Sequence, residues 1–346
     1  LDKVKMNDHM KSILSKNILN IMDVGASGAT ERNKFNFAID NNISKIYKFD
    51  YGEDKKINNE IFFDKILWSE EKEMSFYISK NRVASSLFKV DLEKLKHFDN
   101  FESHKTIDTK KIKTSKASQI KELIDIDFAK IDVEGAELNI LEGMEKNINN
   151  IIGLEVEVQF MERYINSPTF EKIDKFLKEK DFELYILNQE SWLRKEHKSN
   201  SDSNHKLIWA DAIYFIKLDK LINSDEKNIK NSVEKLIFFY VFYKLYDEAY
   251  FTINYLLEKK LITNLDEKRI KNFIDINIKS DLKIITKNFL NFVFACCVLS
   301  YTIFFKKHRF KGISYFKKIY RKFFYSIANL AKFDNQDKNI TRDTRL

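Results

Sequence analysis

Carboxylates that directly follow apolar runs carry the clearest chemical signal in the sequence. Asp23 follows such a run and precedes the small residues Val-Gly-Ala-Ser-Gly-Ala. A turn of small residues lets a ligand approach the backbone, and the helix that comes next offers free N–H groups. The spacing of Gly25 and Gly28 does not fit the dinucleotide pattern, and an acid at this place would repel a pyrophosphate. The same acid suits the ammonium group of an amino-acid moiety.

A second acid, Asp50, ends the next apolar run along the chain. An acid at the end of the second strand can accept hydrogen bonds from both hydroxyls of a ribose. Enzymes that use NAD and enzymes that use S-adenosylmethionine share this arrangement. Asp50 therefore indicates a nucleoside cofactor without choosing between the two.

The segment Lys-Ile-Asp-Val-Glu-Gly-Ala-Glu, residues 130–137, places two acids just past a third apolar run. Ligands of open α/β sheets bind at the carboxyl ends of the strands, so Asp132 and Glu134 are expected near Asp23 and Asp50. One of them could hold the cofactor and the other a substrate hydroxyl. Glu137 is interpreted as the start of a helix, where an acid is favoured.

The elements that position these residues alternate between strands and helices. Apolar runs predict strands over residues 18–24, 43–50, 65–68, 74–78, 128–132 and 151–158. Helices are predicted over residues 31–41, 138–148 and 170–178, and a closing antiparallel pair over 182–187 and 211–218, joined by a polar loop. This alternation is typical of an α/β fold built on a parallel sheet.

These motifs resemble the FkbM family of methyltransferases over roughly residues 15–218. Asp-Val-Gly-Ala is followed about a hundred residues later by the 130–137 segment and by Leu-Glu-Gly. Residues 82–87 and 153–158 resemble that family's paired-serine stretch and its fifth strand. The resemblance implies a Rossmann-like class I methyltransferase sheet with helices on both faces and a C-terminal antiparallel hairpin. It also implies S-adenosylmethionine as the cofactor and O-methylation, commonly of sugar hydroxyls in bacterial glycans or natural products.

The resemblance assigns roles to positions of this sequence. The expected cofactor-binding residues are Asp23, Gly25, Ala26 and Gly28 on the methionine side, Asp50 at the ribose, Ser86 of the paired-serine stretch, and Asp132. Many family members have a second glycine where this chain has Ala29, whereas here Gly28 comes one residue earlier. The turn is therefore expected to differ locally.

The candidates for the general base are Glu134 first, with Asp132 and Glu157 behind it. Glu155 and Glu157 point to the same side of their strand, which fits either the rim of the site or an edge strand with solvated acids. Tyr164 and Trp192 fit either a wall for a sugar ring or core packing. Four histidines are expected to be solvent-exposed loop residues: His97, His104, His197 and His205. The acids, cysteines and histidines lack a metal-ligand spacing, so no metal is predicted.

The C-terminal part of the sequence changes in character. Composition and length predict two domains, which we divide into residues 1–219 and an all-α, basic, aromatic-rich domain of residues 220–346. Helices are predicted over residues 229–260, 265–278, 282–305 and 310–332. Residues 287–332 contain ten Lys or Arg and no acid. Its first part, the 17 uncharged residues 289–305, fits a buried helix, a membrane-surface element or a membrane span. Contact of residues 287–332 with a membrane surface is therefore possible, whereas nucleic-acid binding is disfavoured because no binding motif accompanies the charge.

Two further points concern setting and alternatives. The adjacent cysteines Cys296 and Cys297 indicate a reducing compartment, so a cytoplasmic location is expected, with contact at the inner face of the membrane as an option. The acceptor and the oligomeric state stay open. The alternative to an O-methyltransferase is a helical scaffold or tethering protein with an inactive methyltransferase-like domain.

Overall fold

The computed structural model describes residues 4–25, 34–52, 56–57, 60–195, 205–223 and 229–305. Its strands are β1 (Leu19–Val24), β2 (Ser44–Asp50), β3 (Lys56–Ile57), β4 (Glu60–Asp64), β5 (Ile66–Trp68), β6 (Glu73–Ser79), β7 (Thr106–Lys116), β8 (Phe128–Ile131), β9 (Gly153–Gln159), β10 (Phe182–Trp192) and β11 (Lys206–Ile216). Its helices are α1 (Asp8–Lys16), α2 (Asn36–Asp40), α3 (Leu92–Leu95), α4 (Glu137–Met144), α5 (Phe170–Glu179), α6 (Leu218–Ile222), α7 (Ile229–Phe242), α8 (Tyr246–Glu258) and α9 (Asn264–Phe305).

The described strands form a main sheet in the order β10-β11-β9-β8-β1-β2-β4-β3. The central strands β4, β2, β1, β8 and β9 run parallel, and β10 and β11 close the sheet as an antiparallel hairpin. The order reverses direction at β1, so the carboxyl ends of β1 and β8 leave a crevice between them. This is the Rossmann-like α/β architecture that the sequence predicts.

Helices cover both faces of this sheet. Tyr214 and Phe215 are consecutive on β11 and therefore point to opposite faces. The Tyr214 hydroxyl donates to Asp174 of α5 at 3.3 Å, whereas the Phe215 ring meets Tyr240 of α7 edge-on at 4.8 Å. Strand residues between two helical layers are mostly apolar on both sides, which explains the largely apolar sequences of β1 and β8.

A second, three-stranded sheet in the order β5-β7-β6 stands beside the main one. The sequence predicts β5 and β6 but not β3, β4 or β7. β7 exposes most of its residues and carries few apolar side chains, so it lacks the alternation that marks a half-buried strand. The main chain of β5 lies close to α4, and only a glycine leaves room for this approach: a Cβ added at Gly143 would fall 2.3 Å from the Trp68 carbonyl oxygen.

The single helix predicted over residues 229–260 is wrong, since the chain forms α7 and α8 with a break between them. Lys244 takes the left-handed conformation at φ +62°, and the Leu245 N–H donates to the Tyr240 carbonyl at 2.8 Å. This is the hydrogen bond that ends helices in a Schellman motif, where glycine is the usual residue. In a chain with seven glycines, a lysine occupies that position.

The two helices predicted over 265–278 and 282–305 form one continuous helix, α9. The polar residues 279–281 between them are all compatible with a helix interior. The predicted helix over 310–332 lies outside the described residues. Among the helices that the structure describes, none is long and apolar enough to cross a membrane.

Contacts divide the chain into a unit of residues 6–267 and a smaller unit that contains residues 268–305 of α9. The larger unit holds both sheets and includes α6, α7 and α8. Of these helices, α7 stacks aromatic side chains on the sheet, as Phe239 does on Phe128 at 4.5 Å. In the smaller unit, the Asn277 side chain bonds the backbone of Lys5 in both directions. The predicted domain boundary between residues 219 and 220 stays a prediction.

Candidate active site

A cavity of about 470 Å³ opens at the carboxyl ends of the parallel strands. It is lined by residues from seven strands of the two sheets and from the segment that follows β8. Among the predicted site residues, those that line it are Gly25, Asp50, Asp132, Glu134 and Glu157. Parallel strands bring their carboxyl ends to one edge of the sheet, which is why residues so far apart in the sequence meet here.

Gly25 sits where the end of β1 passes close to the segment after β8. Its φ of +83° lies in the left-handed region, and a Cβ added there would lie 1.8 Å from the carbonyl oxygen of Asp132. Only glycine fits such a position. Glycine therefore lets the end of β1 pass directly against the segment after β8, where both line the cavity. Ala26 and Gly28, also predicted to bind the cofactor, lie outside the described residues.

Asp23 does not line this cavity. It is 5% exposed and lies in register with Lys48 of β2 and Lys130 of β8. Burial raises the pKa of the Asp23 carboxyl, and the positive charges of the two lysines oppose that rise. Lys130 also pairs with Asp132 at 3.0 Å, so it links the carboxylates at the ends of β1 and β8. A direct contact between Asp23 and the cofactor stays a prediction.

The turn after β8 holds Glu134 in a strained conformation. Glu134 has a φ of +58° and Gly135 a φ of +107°. The carboxylate of Glu137 accepts hydrogen bonds from Val133 N–H at 3.1 Å and Gly135 N–H at 3.0 Å, and the Ser86 hydroxyl donates to the Glu134 carbonyl at 2.7 Å. A left-handed non-glycine residue persists only where its surroundings fix it, and such residues cluster at functional sites.

Two of these supporting residues have contacts that the sequence did not predict. Glu137 does begin α4, but it is 1% exposed, and burial raises its pKa to about 7. Ser86 is also buried and supports the turn, while its neighbours Ser85 and Leu87 line the cavity. The prediction that Ser86 binds the cofactor stays a prediction.

Arg163, which the sequence analysis missed, joins the two carboxylates beside the cavity. Its Nη1 lies 3.0 Å from Oε2 of Glu134 and its Nη2 lies 2.5 Å from Oε1 of Glu157. The side chain is 2% exposed, and burial opposes its charge while both carboxylates favour it. A buried guanidinium needs carboxylate partners. The sequence offers a signal for this ion pair, because two acids near the end of β9 are followed closely by a single arginine.

Glu157 is neither solvated nor on an edge strand. It lies on β9 between β8 and β11, and it is 4% exposed. Burial raises the pKa of its carboxyl strongly, Arg163 opposes the rise, and the neighbouring acid Glu134 adds to it. Glu155, on the same face of β9, pairs with Lys34 and accepts a hydrogen bond from the Tyr243 hydroxyl at 2.7 Å. The interpretation of these acids as residues of an edge strand is wrong.

Tyr164 and Trp192 lie in one buried cluster, but only Trp192 lines the cavity. The Tyr164 hydroxyl donates to Oε2 of Glu134 at 2.7 Å, so this tyrosine acts on the carboxylate rather than as a wall. His104 was expected to be exposed and is not. It is 6% exposed, lines the cavity and meets the Trp192 ring edge-on at 5.2 Å. His97 and His205 are exposed, and His197 lies outside the described residues.

The residues around the cavity fit S-adenosylmethionine. The volume of the cavity is within the range of about 300–1,000 Å³ that small-molecule sites occupy. The backbone at Gly25, the carboxylates of Asp50 and Asp132, and the apolar side chains of Phe49 and Ile66 together offer a close backbone approach, hydroxyl acceptors and an apolar wall. In the described part of the chain, acids, cysteines and histidines do not gather into a group of three that could hold a metal.

Fold and site together define a Rossmann-like methyltransferase. Residues 23–184 match the family model of the methyltransferase FkbM domain. This part of the chain is therefore an FkbM methyltransferase domain, and its cofactor is S-adenosylmethionine. Both the resemblance and the cofactor predicted from the sequence are confirmed.

Comparison with other known proteins adds little detail. Among solved structures, the chain matches magnesium protoporphyrin IX methyltransferase from Synechocystis PCC 6803 with bound S-adenosylmethionine. The two are 10% identical, with 61% of this chain and 77% of that chain covered and a TM-score of 0.29. A search of proteins with curated functions returned no match.

Proposed function

We propose that the protein is an O-methyltransferase that methylates a sugar hydroxyl of a bacterial glycan or glycolipid precursor. The observation that carries the proposal is the Glu134 carboxylate, which borders the cavity and is held by Arg163 and Tyr164. S-adenosylmethionine supplies an already activated methyl group when it is bound, held by Gly25, Asp50 and Asp132. What the chain must add is alignment of the acceptor oxygen and removal of its proton.

Glu134 is arranged to accept that proton. Arg163 at 3.0 Å and Tyr164 at 2.7 Å both reach the same carboxylate oxygen, Oε2. Their two bonds fix the carboxylate plane and leave Oε1 for the acceptor hydroxyl. A positioned base contributes typically about 10²–10⁴-fold to such a step. Glu157 serves the base indirectly, because its charge balances the second arm of Arg163.

The far side of the cavity suits a sugar ring. In the sheet order, β11 and β10 lie beyond β9, away from Gly25 and Asp50. From this side come Trp192, Trp209 and Glu190, and His104 lies against Trp192. Indole faces pack on the apolar faces of sugars, and carboxylate and imidazole groups bond sugar hydroxyls. The cavity thus pairs a cofactor side with a side of carbohydrate-binding character.

The test has two stages. S-adenosylmethionine is titrated calorimetrically into the wild type and the Asp50→Ala variant, and we expect binding that Asp50→Ala weakens. Methyl transfer from labelled cofactor is then screened on sugar and glycan acceptors. With an acceptor found, Glu134→Gln should lower kcat about 10²–10⁴-fold while cofactor affinity is kept. The exposed Glu179→Gln on α5 is the matched control and should behave as wild type.

The outcomes separate the proposals. Wild-type protein that is folded but binds no S-adenosylmethionine would support the inactive scaffold instead. Transfer to a nitrogen or to a non-sugar acceptor alone would refute the sugar proposal. Equal turnover of Glu134→Gln and Glu179→Gln would remove Glu134 as the base. The proposal includes the cytoplasmic location that Cys296 and Cys297 favour in the sequence.

A further inference from the structure

The described end of α9 exposes a stripe of large apolar side chains. The exposed fractions are 53% for Leu282, 50% for Phe289, 62% for Leu290, 42% for Val293 and 60% for Phe294. At 100° per residue these five positions fall within about 140° of the helix circumference, and at 1.5 Å per residue they extend over about 18 Å. Phe289, Leu290, Val293 and Phe294 form an apolar patch on this side of the helix. Leu282 lies before the patch, with the exposed Lys283 and Thr286 between them on the same side. We call the five apolar residues the α9 stripe.

This part of α9 carries apolar side chains on both sides. Ile284, Ile285 and Phe292, on the other side of the helix, are only half-buried, while the α9 stripe faces outward. A helix of a globular protein normally turns its polar side to water. A contiguous exposed apolar face marks an interaction surface.

Two lysines lie on the same side of the helix as the α9 stripe. Lys283 and Lys287 are exposed next to Leu290 and Phe294 on the helix surface. After Asp281 the sequence has no acid until Asp334, and residues 287–332 carry ten Lys or Arg. A protein partner for such a face would have to be acidic around an apolar centre, whereas an anionic bilayer offers both properties over any area.

We propose that the α9 stripe docks on an anionic lipid surface, with its phenylalanines and leucines in the acyl boundary and the lysines on the head groups. Exposed apolar residues on one side of a helix, with basic residues beside them, are the pattern of helices that lie in the plane of the interface. Lysine and arginine near such a surface add attraction to anionic lipids that salt screens. This inference does not depend on the acceptor of the methyl group.

The experiment uses the full chain and sedimentation with vesicles. One set is pure phosphatidylcholine and the other contains about one third phosphatidylglycerol. We expect partitioning to be at least about tenfold stronger on the anionic vesicles and weakened by salt. Phe294→Glu, which places an acid in the α9 stripe, should lower it about tenfold or more. Phe251→Glu on α8, exposed to 58% against 60% for Phe294, is the matched control and should bind as wild type.

Three outcomes would overturn the proposal. In the first, the wild type stays in the supernatant with anionic vesicles. In the second, Phe294→Glu and Phe251→Glu lose binding equally. In the third, the wild type would self-associate without lipid and Phe294→Glu would be a monomer by sedimentation equilibrium, so that the stripe joins copies of the chain. Circular dichroism of each variant shows whether a loss of binding comes from unfolding, and Leu290→Gln then gives a second, milder test of the same face.

Discussion

Replacing Arg163 with methionine tests whether its charge holds the two carboxylates beside the cavity. The guanidinium is 2% exposed and contacts Glu134 at 3.0 Å and Glu157 at 2.5 Å. Removing one partner of a buried ion pair costs about 3–5 kcal/mol, because the other charge is left without compensation. Since burial already raises the pKa of Glu157, that carboxyl can take up a proton and limit the loss. We therefore expect Arg163→Met to lower the free energy of unfolding by about 3 kcal/mol.

The double variant Arg163→Met/Glu157→Gln isolates the cause of this loss. Glutamine removes the uncompensated charge, so the double variant should recover about 2 kcal/mol relative to Arg163→Met. Urea unfolding of the wild type, both single variants and the double variant gives the coupling energy. The reasoning is refuted if Arg163→Met unfolds at the wild-type urea concentration, or if Glu157→Gln adds a further loss in its presence.

Two other positions give distinct predictions. Gly25→Ala places a Cβ within 1.8 Å of the Asp132 carbonyl oxygen, at a φ of +83° that alanine rarely adopts. Calorimetry should therefore show loss of S-adenosylmethionine binding, and binding at wild-type affinity would contradict the close approach. Burial raises the pKa of Glu137 from 4.5 to about 7, so between these values the folded state keeps a proton that the unfolded state has lost. Glu137 should therefore contribute a fall in stability of up to about 3 kcal/mol as the pH rises from 4.5 to 7. In thermal unfolding measured at both pH values, Glu137→Gln should reduce the difference between them by about this amount, and an unchanged difference would contradict the prediction.

The sequence predicted the parts of the site that depend on strand ends. Buried parallel strands leave long apolar runs, and the acids that follow them can be assigned to one edge of the sheet before any coordinates exist. Asp50, Asp132 and Glu134 were found in this way, and the structure brings them to one cavity.

The rest of the site depends on contacts between segments that leave no local pattern. Arg163 lies in a short connection after β9. One of its partners, Glu157, lies on β9, but the other, Glu134, belongs to the separate segment after β8. His104 lies among polar residues that read as an exposed loop, yet it packs on Trp192 from the β10–β11 hairpin. β7 was missed because its neighbours β5 and β6, rather than its own side chains, define it as a strand.

The left-handed backbone at Glu134 has a consequence for how this protein could change. A left-handed conformation costs a non-glycine residue about 1–2 kcal/mol, which glycine at this position would avoid. The same change would delete the carboxylate that Arg163 and Tyr164 hold, and leaving the buried guanidinium without that partner costs about 3–5 kcal/mol. The loss exceeds the gain, so the stability of the fold itself favours glutamate at this turn. Glutamate would therefore be retained here even in a descendant that no longer transfers methyl groups.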